Sequence, residues 1–485
     1  MNYLDLTLVE IHEALVAKKV TPLELTTEAI NRLKANKDNA LEADMFSSAL
    51  EEAAKLLEPE VDNPFWGVPI LVKDNFSTKG VETTGSSNIL KGYVPVYDAS
   101  VIRKLKDAKA IIIGKTTLDE LAMGGNGTKG HLGVTYNPWD PSHQRIIGGS
   151  SCGSATVVAD AIVPFALGSD TGDSVRKPAS YGGLVGFKPT WSRISRYGLF
   201  SFSPSLDHVG YFTRSVEDAA VSLKLLAGYD TYDMSSSTKP VENYLENLHK
   251  GVKGVRIAVI SNLLALADPV LINLIEENLA KLAKAGAIIN RVNIDEKILK
   301  AILPTYYLLS CAEATSSNAA LDGLKFGYQP DGKTYEEIMI KARSTGLGYQ
   351  VKQRFMIGAF VLARENHEAY YEQAQKARRV IVNAYNEVFK DNDIIYLPGA
   401  PSVAPYITDL DKAQSEEEII IDNHLGIGNL GGYPSLSLPI GFIDEMPLGI
   451  NLMSKHFDEM TIFQVGNEIE KLTGLKNLSA KRGAK

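Results

Sequence analysis

The feature that most constrains this chain is an alternation of short, wholly apolar runs with helical patterns. Residues 68–72, 110–113 and 162–167 read as buried strands, and a helix over 100–108 separates the first two. A second strand–helix–strand unit follows. It comprises residues 255–260, a helix begun at Asp268-Pro269 with Leu271, Ile272, Ile275, Leu279 and Leu282 on it, and residues 288–294. Strands that are apolar throughout need cover on both faces, and strand–helix alternation makes neighbouring strands parallel. The expected fold class is α/β: a sandwich in which one large mixed β-sheet is covered by helices on both faces.

Two helices precede the first strand. Thr7 with Glu10 and Thr21 with Glu24 fit the capping box, and Pro22 takes the favoured first helical position. Leu8, Ile11 and Leu15, then Leu25, Ala29 and Leu33, supply apolar stripes for a packing hairpin over residues 1–60. Residues 230–253 contain Ser235-Ser236-Ser237 and few apolar residues, which reads as a surface excursion and not a domain boundary. Residues 348–392 read as one or two long amphipathic helices, and Glu416-Glu417-Glu418 as a solvated loop or helix face. We therefore expect a single domain over 1–485. Its catalytic motifs fall in 65–215, and 254–475 hold the rest of the sheet and the substrate-binding helices.

Composition narrows the function classes. A hydrophobic content of 45% and a charged content of 22% are those of a soluble globular protein. The two cysteines, Cys152 and Cys311, exclude a disulfide framework and a four-cysteine metal site, and suit a reducing compartment. A net charge of −8 argues against this chain alone gripping a nucleic-acid backbone. The start at Met1 shows no export signal. The longest apolar run, residues 155–168, carries Asp160 and Pro164 and is too short to span a bilayer. The cytoplasm is the expected location.

Three glycine-rich segments compete for the chemistry. Gly114-Lys115-Thr116-Thr117 imitates the end of a phosphate-binding loop, but Lys109 stands where that loop needs its first glycine. Gly149-Ser150-Ser151-Cys152-Gly153 matches the nucleophile elbow with Ser151 as nucleophile, although the polar residues before it make a poor strand. Five histidines follow it, His208, His249, His367, His424 and His456, so a His-based triad stays open. The third segment, Gly168-Ser169-Asp170-Thr171-Gly172-Asp173-Ser174, comes directly after the run 162–167. A strand ending in such a turn exposes backbone N–H groups beside a serine hydroxyl, the parts an acyl-transfer site needs.

Together these segments resemble the amidase signature family. The likeness rests on Gly67-Val68-Pro69-Ile70-Leu71-Val72-Lys73-Asp74-Asn75, on residues 148–154, on 168–178, and on Gly183-Leu184-Val185-Gly186-Phe187-Lys188-Pro189-Thr190. Asn137-Pro138-Trp139-Asp140 and Ser195-Arg196-Tyr197-Gly198-Leu199 place the chain nearest the glutamine-using branch, which works within aspartyl/glutamyl-tRNA amidotransferases. The resemblance implies that Lys73 is the general base, Ser150 a bridging serine in a cis peptide, and Ser174 the acyl-forming nucleophile. The backbone N–H groups of Thr171, Gly172, Asp173 and Ser174 would form the oxyanion hole. It also implies that Arg354 and Asp422 hold the carboxylate and ammonium of free glutamine, with Tyr306 as a third contact. Two departures stand out: the family has Gly at the positions of Cys152 and Asp173. The Asp173 carboxylate must then turn away from the oxyanion, on a backbone that Asp tolerates in glycine-like conformations.

The chemistry implied is coherent. A lysine with its ordinary pKa of about 10.4 is protonated at neutral pH, and burial at the end of an apolar strand lowers it. Ser150 can relay the proton because a hydroxyl both donates and accepts. The branch further implies B and C subunits in a heterotrimer, with ATP and Mg used by the partner chain on misacylated tRNA. No cofactor or metal is expected in this chain. The alternatives are a free-standing amidase acting on another carboxamide and a catalytically silent assembly protein.

Overall fold

In the computed structural model, residues 2–482 are described; Met1 and residues 483–485, which the single-domain reading includes, lie outside the described residues. Both capping boxes form. Thr7 and Thr21 accept from the N–H groups of Glu10 and Glu24 at the starts of helices Leu8–Val16 and Pro22–Ala35.

Among the described residues eleven strands form one sheet: β1 (Leu41–Asp44), β2 (Pro69–Lys73), β3 (Ile111–Thr116), β4 (Ala166–Asp170), β5 (Val185–Lys188), β6 (His208–Thr213), β7 (Arg256–Ile260), β8 (Ile288–Val292), β9 (Ile394–Pro398), β10 (Ser435–Ile443) and β11 (Met446–Ser454). Across the sheet they run β1-β3-β2-β4-β6-β5-β10-β11-β9-β7-β8. The sheet is mixed, as expected, and the strand–helix alternation accounts for its parallel pairs. β2 lies parallel to β3 and β4, and β7 parallel to β8 and β9, while the remaining pairs are antiparallel. Every residue of β2 through β6 and of β9 and β11 is buried. Successive side chains point to opposite faces, so both faces of these strands are covered.

β3 and β4 depart furthest from their apolar runs. β4 begins at Ala166, not 162, because the helix Cys152–Ala159 is followed by a turn through Ala161 at φ 51° and then by Pro164. β3 runs on to Thr116. Lys115, the lysine of the imitation phosphate loop, is fully buried there, 3.0 Å from Asp74 and bonded to the Phe76 carbonyl. β8 is a partly exposed edge strand and not a buried one.

The region 348–392 holds helices Tyr349–Leu362 and Gln373–Asp391, joined through a π turn at Glu368–Glu372. Glu416-Glu417-Glu418 forms the first turn of the helix Glu416–Asn423, capped by Ser415. Residues 230–253 contain no helix or strand, yet Tyr244, Leu248 and Val252 are buried, and Arg193 holds the segment down through Tyr244 Oη and two carbonyls. No helix among the described residues is long and apolar enough to cross a membrane.

Candidate active site

The parallel strands β2 and β4 are neighbours in register, Val72 opposite Leu167, so Lys73 at the end of one lies beside Ser169 of the other. The loop 148–151 closes over both before entering the helix Cys152–Ala159, and its Gly149–Ser150 peptide is cis. Lys73 Nζ is fully buried. It lies 2.8 Å from Ser150 Oγ, 2.9 Å from Ser151 Oγ and 2.9 Å from Ser169 Oγ. Burial pulls its pKa down to about 7, against the pull of Cys152, Asp119, Asp170 and Asp207 in the other direction. Such a lysine exists as the neutral amine in a large fraction at neutral pH.

The two adjacent serines are not equivalent. Ser151 Oγ donates its proton to the Ser169 carbonyl at 3.0 Å, so toward Lys73 it can only accept. Ser150 Oγ has Lys73 as its hydrogen-bond partner and keeps its proton uncommitted. A relay needs that freedom. Ser174 is 5% exposed whereas Ser150 and Ser151 are 0% exposed, so of the three it is the least enclosed. A backbone bond from Ser151 N to Ser174 O, 3.3 Å, ties the two loops together.

The turn 171–174 is oriented by a buried scaffold. The Asp170 carboxylate accepts from Val175 N, from Arg176 Nε and Nη2, and from Asn429 Nδ2. Arg176 Nη2 also takes the Gly172 carbonyl at 2.6 Å, Asn429 Nδ2 takes the Asp170 carbonyl at 3.0 Å, and Thr171 Oγ1 donates to Asp207 at 2.7 Å. The Asp170 and Gly172 carbonyls are thereby consumed. The N–H groups of residues 171–174 donate to no acceptor among the described residues. Four free donors beside a serine hydroxyl form an arrangement that can receive a developing oxyanion.

Asp173 does not enter the left-handed region, so no glycine-like conformation is needed there. Its carboxylate pairs with Lys177 Nζ at 2.8 Å. The same ammonium reaches Asp422, with Oδ1 at 3.1 Å and the main-chain carbonyl at 2.8 Å. Tyr306 packs on the turn: a Cβ at Gly172 would stand 2.9 Å from its hydroxyl. Arg354 lies over the Tyr307 ring, 4.7 Å from its centre, and over Phe202. It is buried beside the Cys311 thiol, and among the described residues its Nε and Nη1 have no oxygen or nitrogen partner. Lys73, Ser150, Ser169 and Ser174 thus share one site, with Tyr306, Arg354 and Asp422 at its border. Sequence reasoning passed over Ser169, Asn429, Lys177 and Asn75, which donates Nδ2 to Ser169 Oγ at 2.9 Å; their parts depend on contacts distant in sequence.

No histidine bonds to Ser150, Ser151 or Ser174 among the described residues. His208 bonds the Leu206 carbonyl, and His424 the carbonyls of Ile421 and Pro398. The elbow reading, with Ser151 paired to a histidine, therefore fails on geometry. Among the described residues no cluster of His, Cys, Asp or Glu could hold a metal ion.

Comparison with known proteins agrees with this geometry. The family model described as Amidase matches residues 24–463. The A subunit of glutamyl-tRNA(Gln) amidotransferase from Pediococcus pentosaceus is 38% identical over 481 residues, covering 98% of each chain. Its counterpart from Geobacillus thermodenitrificans is 40% identical over 483 residues, again covering 98% of each. The crystal structure of the A subunit of glutamyl-tRNA(Gln) amidotransferase from Thermotoga maritima superposes with a TM-score of 0.77 at 33% identity, covering 97% of this chain and 95% of that one. A solved amidase gives a TM-score of 0.81 at 28% identity, covering 97% and 100%. With a family match spanning most of its length and relatives of this identity, the chain belongs to the amidase signature family.

Proposed function

We propose that the chain is the glutaminase subunit of a tRNA-dependent amidotransferase, working as one amidase domain over 1–485 in the cytoplasm. The observation that carries this reading is the buried Lys73, poised near neutrality and bonded to Ser150, next to a Ser174 that stands on a turn of free N–H groups. Neutral Lys73 draws a proton through Ser150 from Ser174 Oγ, which attacks the glutamine carboxamide carbon. The oxyanion is held by the N–H groups of residues 171–174. As the tetrahedral adduct collapses, the C–N bond breaks, the proton returns to the leaving nitrogen and ammonia departs. Water then enters, loses a proton to the same relay and releases glutamate from Ser174. Arg354 takes the substrate carboxylate, its two unpartnered nitrogens being what a planar acceptor requires. Asp422 takes the ammonium, and Tyr306 fills the wall behind Gly172.

The amidotransferase relatives compared above are all A subunits. By that likeness ammonia passes to a B subunit, which uses ATP and Mg to convert Glu-tRNA(Gln) to Gln-tRNA(Gln), with a small C subunit completing a heterotrimer. A diazo-ketone analogue of glutamine, which alkylates the nucleophile, tests the assignment. Mass spectrometry is expected to find the label on the peptide carrying Ser174, and Ser174→Ala to lose both the label and glutamine hydrolysis while staying folded. Label on Ser151, or hydrolysis retained in the Ala variant, overturns it.

A further inference from the structure

The turn that carries Ser174 is joined to the helix Glu416–Asn423 by one ammonium between two carboxylates. Lys177 Nζ is 2.8 Å from Asp173 and 3.1 Å from Asp422, and its side chain is only 7% exposed. Asp422 is the most open of the three, at 30%, and Asp173 stands between at 17%. The charges decide what this cluster can do. Two carboxylates around one lysine leave a single negative charge, and the open member of the set displays it. Were Lys177 alone with Asp422, the pair would be neutral and would offer a cation little.

We propose that Asp173 is a specificity-determining, positioning residue: by engaging Lys177 it leaves Asp422 with net negative charge to receive the ammonium of an amino-acid substrate. This rests on the glutaminase reading above and adds to it a reason for an acidic residue beside the oxyanion hole. The Asp173 side chain does not touch the reacting atoms; only its backbone N–H, which the substitutions below leave in place, faces the oxyanion. Its carboxylate is turned onto Lys177, one helical turn away, and its influence on the oxyanion is offset by that paired ammonium. Lys177 in turn fixes the distance between the turn and the Asp422 helix by also binding the Asp422 main-chain carbonyl at 2.8 Å.

The test compares glutamine with glutaramate, its des-amino analogue, which keeps the carboxamide and carboxylate but lacks the ammonium. The full chain is assayed alone and in the complex with which it purifies. Wild type is expected to prefer glutamine. Asp173→Asn keeps the shape and removes the charge. It should cut the kcat/KM preference for glutamine over glutaramate by about tenfold or more, mainly through KM, as loss of a partner for a partly buried charge requires. The double variant Asp173→Asn with Lys177→Gln restores the single negative charge and should recover most of the preference. A merely structural part would lower both substrates together and would not be rescued by a second substitution. That outcome, or an unchanged preference in Asp173→Asn, overturns the inference while the glutaminase reading stands. A wild type with no preference for glutamine overturns that reading and the inference with it.

Discussion

Lys73 holds its proton weakly because its burial among hydroxyls and apolar strand residues outweighs the opposing pull of Cys152, Asp119, Asp170 and Asp207. In the proposed mechanism the base form is the neutral amine, so activity is lost as pH falls through the folded pKa. kcat/KM for glutamine should therefore fall about tenfold per pH unit below a midpoint near 7, and Lys73→Met should remove the activity without lowering Tm. A rate that stays flat from about pH 8 down to about pH 5 would take the general-base role away from Lys73. At this scale the sequence was readable where chemistry is local. Lys73, Ser150 and Ser174 lie in motifs that resemble a family, whereas Ser169 and Lys177 acquire their parts only when β2, β4 and the Glu416–Asn423 helix come together.

The helices Glu296–Ser317 and Tyr349–Leu362 meet at Gly358, where a Cβ would stand 2.1 Å from the Cys311 carbonyl and 2.1 Å from Thr315 Oγ1. Tyr306 belongs to the first helix and Arg354 to the second, one turn before Gly358. Gly358→Ala must push the helices apart, at a cost of about 1–3 kcal/mol. Tm should fall and KM for glutamine rise together, and a variant that changes neither would show that the helix pair does not set the pocket. Elements with end signals were the legible ones, as both capping boxes show. The β10–β11 hairpin was not. Its turn residues Asp444 and Glu445 take φ of 48° and 65°, a left-handed pair without the glycine that normally announces such a turn. β4 was displaced because its apolar run begins in the turn that precedes it, and its last residues, Gly168-Ser169-Asp170, look like loop.

Across the whole molecule, the helix Val216–Leu226 binds early and late parts of the chain to each other. Asp218 accepts from the N–H groups of Leu8 and Val9, and Glu470 accepts from Val216 N at 2.8 Å. Arg214 takes the carbonyls of Leu4 and Leu6 together with the Asn477 side chain. Burial pushes the Glu470 pKa from 4.5 up to about 8. The folded state then binds a proton that the unfolded chain has released, so stability falls as pH rises through that window. The full shift corresponds to about 5 kcal/mol. Glu470→Gln should flatten the decline of Tm between about pH 5 and pH 8; an unchanged decline would place its origin elsewhere. Lys73 works with the opposite sign at higher pH, where the unfolded chain keeps the proton that the folded one has lost. The α/β class was legible from the strand–helix alternation. The breadth of the sheet was not, because β1, β5, β6, β10 and β11 lie in segments without a long apolar run.

The two thiols have a consequence of their own. Cys152 is 1% exposed and Cys311 0%, and burial pushes the Cys152 thiol up to about 12. Neither can react with an alkylating reagent until its surroundings open. Cys152 follows the loop that bears Ser150, and Cys311 lies where the helices Glu296–Ser317 and Tyr349–Leu362 meet. Their labelling rates on the native protein are therefore two independent clocks, one timing the opening of the Ser150 loop and the other the parting of the two helices.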